Sequence, residues 1–172
     1  MSMRILDSQG HTIAELLVCL ATASLLLANG IPQFAKLKEN LEASQFSNDF
    51  TLLLQQARTK AFSSQQTVII CPWQNSTCTS NWKNPIKSFM DENGNAHLEP
   101  NEQVLSTLEA YSAITLDWKG MGSKTYLRMS GRGLTPTSNG TFHLCLRGEL
   151  FRQIIINRQG RIRSATPITT DC

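Results

Sequence analysis

The chain has 172 residues, 41% hydrophobic and 17% charged, with a formal net charge of +3. That is ordinary for a globular protein and leaves room for one domain plus an anchor, not for several domains. The small net charge hides an asymmetry. Met1 to Trp118 carries 7 Lys+Arg against 11 Asp+Glu (net −4), while Lys119 to Cys172 carries 9 against 2 (net +7), seven of those nine being Arg. A basic C-terminal third either meets an anionic partner or is a solvated face. No Ser/His/Asp set, metal cluster or P-loop stands out, so neither catalysis nor a cofactor is expected.

The first ten residues, MSMRILDSQG, are short and polar. From His11 to Ile31 an apolar run follows, long enough to span a bilayer at about 1.5 Å per residue. No small-residue cleavage site follows it, and it flows into an amphipathic helix, which reads as an anchor rather than a secretory signal. Glu15 interrupts the run, and an ionised carboxylate in hydrocarbon costs a few kcal/mol at least, so it needs a partner. Pro32, which lacks a backbone donor, is expected to kink or loosen the helix nearby.

Beyond Pro32, apolar residues fall at Leu37, Leu41, Phe46, Phe50, Leu53, Leu54, Ala57 and Ala61. Most steps are three or four, which predicts a helix over 35–64, ended by Ser63-Ser64 and a Gln pair. Short runs then read as strands: TVIICP, IKSFMD, QVLSTL, ITLDW, TYLRM, TFHLCLR and FRQIIIN, separated by Gly, Asn, Ser and Pro. No helix separates them, which predicts antiparallel pairing and an α+β fold: a helix spine against an antiparallel β-sheet head over 66–172.

Cys71, Cys78, Cys145 and Cys172 lie outside the apolar run, and Cys19 inside it. An even number fits two disulfides in an oxidising compartment; of three possible pairings, proximity favours Cys71–Cys78 and Cys145–Cys172. Zinc ligation is the weaker alternative, since no C-x-x-C spacing occurs and His11, His97 and His143 are scattered.

Three features of the N-terminus coincide: Gly10 before the run, Glu15 five residues later and Pro32 at its end. Together they resemble the class III signal and N-terminal helix of type IV pilins and pseudopilins. That resemblance implies a leader over 1–10, removed by a prepilin peptidase after Gly10. It implies methylation of the new N-terminal residue, His11, where the family usually has Phe. The family glutamate matches Glu15 and is thought to neutralise the N-terminal amine of a neighbouring subunit during assembly. Residues 11–34 would then be the transmembrane and assembly half of the helix, and 35–172 a periplasmic head. The protein would sit in the inner membrane and later in an extracellular pilus, with other major and minor pilins as partners.

The head resembles the FimT/FimU and GspH branch of that family. The resemblance is carried by Gln55-Gln56-Ala57-Arg58, a strand ending in Cys71, the turn from Phe89 to Asn93, the strand Gly140 to Cys145, and Asn157-Arg158-Gln159-Gly160-Arg161-Ile162-Arg163. Gly160-Arg161-Ile162-Arg163 matches the Gly-Arg-x-Arg motif with which FimT proteins bind DNA. In an extended segment residues two apart face the same way, so Arg161 and Arg163 project together while Ile162 turns inward. Two guanidiniums on one face can grip consecutive phosphates without reading sequence. Arg158, Arg152, Arg147, Arg132, Arg128, Lys124 and Lys119 are candidates to widen the patch. The alternative is a structural pilin or type II secretion pseudopilin in which this motif ends a hairpin and pairs with a neighbour.

Asp91, Asn93, Asn95 and Glu102 fall at ligand positions of an EF-hand-like calcium loop, but Ala96 replaces its glycine and strands flank it, so a plain turn is preferred. Trp73, Trp82 and Trp118 are read as packing residues rather than base-stacking platforms.

Overall fold

Thr12 and Glu15 start the long helix α1 (Ile13–Ser64) with a reciprocal cap. The Thr12 amide donates to Glu15 Oε2 at 2.9 Å, and the Glu15 amide donates to Thr12 Oγ1 at 3.3 Å. This is a capping box, and it also sets a negative charge against the positive end of the helix dipole. Glu15 thus has a partner within its own chain. The computed structural model describes residues 12–167 and Cys172; Gly10 and His11, the expected cleavage pair, lie outside the described residues. By contacts the chain divides into two compact units, Met1–Glu39 and Asn40–Cys172.

In the first unit Ile13, Leu16, Leu17, Val18, Leu20, Leu25, Leu26, Leu27, Ile31 and Phe34 are all exposed. Among the described residues this is one helix long and apolar enough to cross a membrane. The helix is unbroken across Pro32, so the residue removes one hydrogen-bond donor without ending the helix there. It stops at Ser64, where Gln65 turns left-handed at φ 55°, a common way to close a last helical turn.

The second unit holds the core. Along α1, Ala43, Phe46, Phe50, Leu53, Leu54, Ala57 and Ala61 are buried, the helical spacing expected. Leu37 and Leu41, expected on the same stripe, are instead 55% and 62% exposed, so the buried face begins at Ala43.

Two antiparallel sheets complete the head. In the first, β1 (Thr67–Gln74) pairs along one edge with β3 (Ile86–Asp91), which pairs with β4 (Val104–Leu108). The other edge of β1 is shared by β2 (Thr77–Cys78) and β6 (Leu127–Met129). The second sheet runs β5 (Ile114–Gly120), β7 (Gly140–Leu146), β8 (Glu149–Ile156), β9 (Ile162–Ala165) in spatial order. All seven strands read from the sequence are present; β2 and β9 are additional.

Phe142 sits at the centre of the core, its ring 4.9 Å from Phe50, 4.7 Å from Trp82 and 4.4 Å from Trp118. Trp82 and Trp118 are therefore packing residues, 5% and 4% exposed. A second cluster of Ile69, Cys71, Phe89 and Ala96 lies apart from the main core, with Trp73, Leu98 and Tyr126 packed against it. The two clusters account for a β1 that is buried on both faces. Cys71 is bonded to Cys78 and Cys145 to Cys172, with Cα separations of 5.5 and 6.3 Å.

Candidate nucleic-acid interface

The turn between β8 and β9, Asn157 to Arg161, is fastened from three sides. Within it, the Gly160 amide donates to the Asn157 carbonyl at 2.9 Å and the Arg161 amide to Asn157 Oδ1 at 2.8 Å. From the β6–β7 connection, Thr135 Oγ1 donates to the Asn157 carbonyl at 2.6 Å and its amide to the Arg158 carbonyl at 3.0 Å. From α1, Arg58 Nε donates to the Gly133 carbonyl and Nη2 to the Gln159 carbonyl, both at 3.1 Å. Gly160 has φ +70° and packs so closely that an added Cβ would collide with the Gly133 carbonyl oxygen. Its role is close approach as much as the turn itself.

From this fixed turn the alternation along β9 decides what faces water. Ile156 pairs with Ile162 and Ile155 with Arg163. Ile156 is buried and Ile162 packs against the core, so Arg163 points to the opposite, outer face beside Ile155. Arg161, Arg163, Ile155 and Asn157 line one shallow depression of about 180 Å³. Among the described residues no carboxylate forms an ion pair with either arginine. Lys119, Thr141, Ile155 and Arg163 form one row across the outer face, with Lys119 also 3.5 Å from Asp117.

The other candidates divide by position. Gly120, Gly140 and Ile156 are in register, so the β5–β6 loop meets the sheet at the same end as the turn. Arg158 is there, its Nη2 3.8 Å from Met121 Sδ, and so is the exposed Lys124, whose Nζ donates to the Gly120 carbonyl at 3.4 Å. Arg147 is not. It sits in the β7–β8 turn with φ 53°, and the eight residues of β8, at ~3.3 Å each, put roughly 25 Å between the two turns. Arg152 pairs with Leu144, a core residue, and so lies on the face opposite Arg163, its guanidinium 5.5 Å from the Phe151 ring. Arg128 is held by the loop 91–102: Nη2 lies 3.5 Å from Asp91 Oδ2 and donates to the Gly94 carbonyl at 3.1 Å.

That loop is closed by its own polar groups. Asp91 accepts the Ala96 amide, Glu102 accepts the amides of Glu92 and Glu99, and Glu99 accepts the side-chain amides of Asn93 and Asn95. Among the described residues no group of three or more His, Cys, Asp or Glu is placed to hold a metal.

His143 lies between Asp117 and Gln153 on the outer face. Burial pushes its pKa below the ordinary value and Lys119 pushes it further, against an opposing pull from Asp117. Two residues of this region carry little local signal in the sequence. Arg58 was visible only as part of a family motif, and the turn it fastens is about a hundred residues away in the chain. Phe62, 67% exposed, falls beside rather than on the buried stripe of α1, which was its only signal.

The family model described as type II transport protein GspH matches residues 47–160. Among solved structures, the type IV minor pilin FimU of Pseudomonas aeruginosa is 20% identical with a TM-score of 0.59, over 77% of this chain and 98% of that one. The minor pseudopilin EpsH of the type 2 secretion system of Vibrio cholerae is 14% identical with a TM-score of 0.54, over 74% of this chain and 98% of that one. No curated protein matches.

Proposed function

Since this chain belongs to the GspH family and has the fold of FimU and EpsH, we propose that it is a minor pilin or pseudopilin that binds DNA without sequence preference. In this reading a prepilin peptidase removes residues 1–10 and His11 becomes the methylated N-terminus. The apolar half of α1 then holds the protein in the inner membrane, and its head, in the periplasm, enters a pilus beside other pilins. The DNA would be taken up during natural transformation. The family match ends at Gly160, so Arg161 and Arg163 stand just beyond it and their role rests on their own geometry.

One observation carries the DNA reading: Arg161, at the end of a turn locked on three sides, and Arg163, on the strand that leaves it, line the same open depression. A fixed backbone holds the two side chains on one face at a set spacing, and contacts from guanidiniums to phosphates do not read bases. Arg158, Lys124 and Lys119 share that end of the sheet and extend the field.

The test is titration of the full chain in uncharged detergent micelles against labelled DNA of unrelated sequences at two salt concentrations. The Arg161→Gln/Arg163→Gln variant is measured alongside. The wild type is expected to bind all sequences alike. The variant is expected to lose affinity and about two units of salt slope, near 0.9 per phosphate contact. Absence of wild-type binding at low salt would leave a structural subunit that primes pilus or pseudopilus assembly.

A further inference from the structure

Three depressions on the head adjoin one another. The first, lined by Arg161 and Arg163, shares Arg161 with a second of about 300 Å³ that also contains Arg58 and Thr59. The second shares Arg58 and Thr59 with a third of about 280 Å³, lined also by Arg132 and Phe62. They are successive stations of one groove running from the outer edge of β9 onto the last turns of α1. Each station has at least one guanidinium, and none of the lining residues bears a carboxylate.

At the far end stands Phe62, 67% exposed and one helical turn beyond Arg58. An exposed phenylalanine on its own is ordinary; what sets this one apart is its place beside Arg58 and Arg132, where its ring is open to a planar group whose charge the arginines would meet. Trp82 and Trp118 are buried in the core and Trp73 packs against Phe89, so Phe62 is the ring that the groove offers.

We propose that this groove takes single-stranded rather than duplex DNA, with an unpaired base stacked on Phe62. The inference rests on the DNA-binding reading above and narrows its substrate. Arg163, Arg161 and Arg132 follow the sugar-phosphate backbone, Arg58 adds its charge while its Nε and Nη2 stay on the Gly133 and Gln159 carbonyls, and the ring receives a base face. A duplex keeps its base faces covered by neighbouring pairs; a single strand does not. Stacking is tolerant of base identity, because every base has a π face.

The experiment compares oligothymidylate with a duplex of equal length, using the full chain in uncharged micelles. Wild type, Phe62→Leu, Phe62→Trp and Arg161→Gln/Arg163→Gln are measured. The single strand should bind more tightly to wild type. Phe62→Leu should weaken it about fivefold or more while leaving duplex affinity unchanged, and Phe62→Trp should restore it. If Phe62→Leu binds both DNAs as wild type does while the arginine variant loses both, DNA binding stands. The stacking role then falls, and Phe62 belongs to a contact with a neighbouring pilin. Equal losses on both DNAs also overturn stacking. If wild type binds neither DNA, the reading beneath this inference fails with it.

Discussion

Substituting Gly160 with alanine probes the fastened turn without touching its charge. The residue sits at φ +70°, and an added Cβ would collide with the Gly133 carbonyl oxygen and come to 3.0 Å from Arg58 Nε. The left-handed backbone alone costs a residue with a Cβ about 1–2 kcal/mol. To relieve the collision the turn must back away from Gly133, loosening the bonds that reach it from outside, Arg58 Nη2 to the Gln159 carbonyl at 3.1 Å and the Thr135 amide to the Arg158 carbonyl at 3.0 Å, at roughly 0.5–1.5 kcal/mol each. Gly160→Ala is therefore expected to destabilise the head by about 2–5 kcal/mol in total. Urea unfolding of the full chain in micelles, followed by tryptophan fluorescence, measures this, because Trp82 and Trp118 become exposed only on unfolding. Gly160→Asn is the control: asparagine tolerates the left-handed region but carries the same Cβ. Both variants should be destabilised, and both should bind DNA more weakly at unchanged net charge. A Gly160→Asn head as stable as wild type would mean that collision plays no part. A loss under about 0.5 kcal/mol in Gly160→Ala, the range of ordinary surface substitutions, would refute the fastened turn.

Four other outcomes are expected. Replacing Cys145 and Cys172 by serine opens a loop with a sequence separation of 27, against 7 for Cys71 and Cys78, so thermal unfolding should show the larger loss, about 3.5 against about 2.5 kcal/mol on the loop-entropy model. Phe142→Ala removes the ring shared by Phe50, Trp82 and Trp118 and should cost about 3–5 kcal/mol in urea unfolding; a loss near 1 kcal/mol would show that the site collapses to fill the gap. His143 has a lowered pKa in the folded head, so the unfolded chain binds its proton first, and stability should fall as pH drops from 6.5 toward the folded value. His143→Gln should remove that part of the pH dependence, and an unchanged pH profile would contradict it. Glu15→Gln keeps a group able to complete the capping box but removes the charge, whereas Glu15→Ala loses both. If charge sets the register in assembly, both variants should be missing from sheared pili while the head unfolds as in wild type; normal incorporation of Glu15→Gln would assign the residue to capping alone.

By itself the sequence determined the parts of this protein that depend on neighbours in the chain. The apolar run, the buried stripe from Phe46 to Ala61 and the seven strand segments follow from local periodicity, which burial then enforces. The alternation that sends Arg161 and Arg163 out and Ile162 in is likewise local, and β9 shows it. Tertiary structure decided the rest, because it concerns distance between residues remote in sequence. It put Leu37 and Leu41 outside the buried face, which begins only at Ala43. It separated Arg147 and Arg152 from the arginines that sequence grouped with them, since a strand has two ends and a sheet two faces. It tied up Arg128 on Asp91, a partner 37 positions earlier. It also brought Arg58 from the helix to the turn at Gly160, where the missing Cβ lets the two backbones meet, and no local pattern encodes a contact across that much chain.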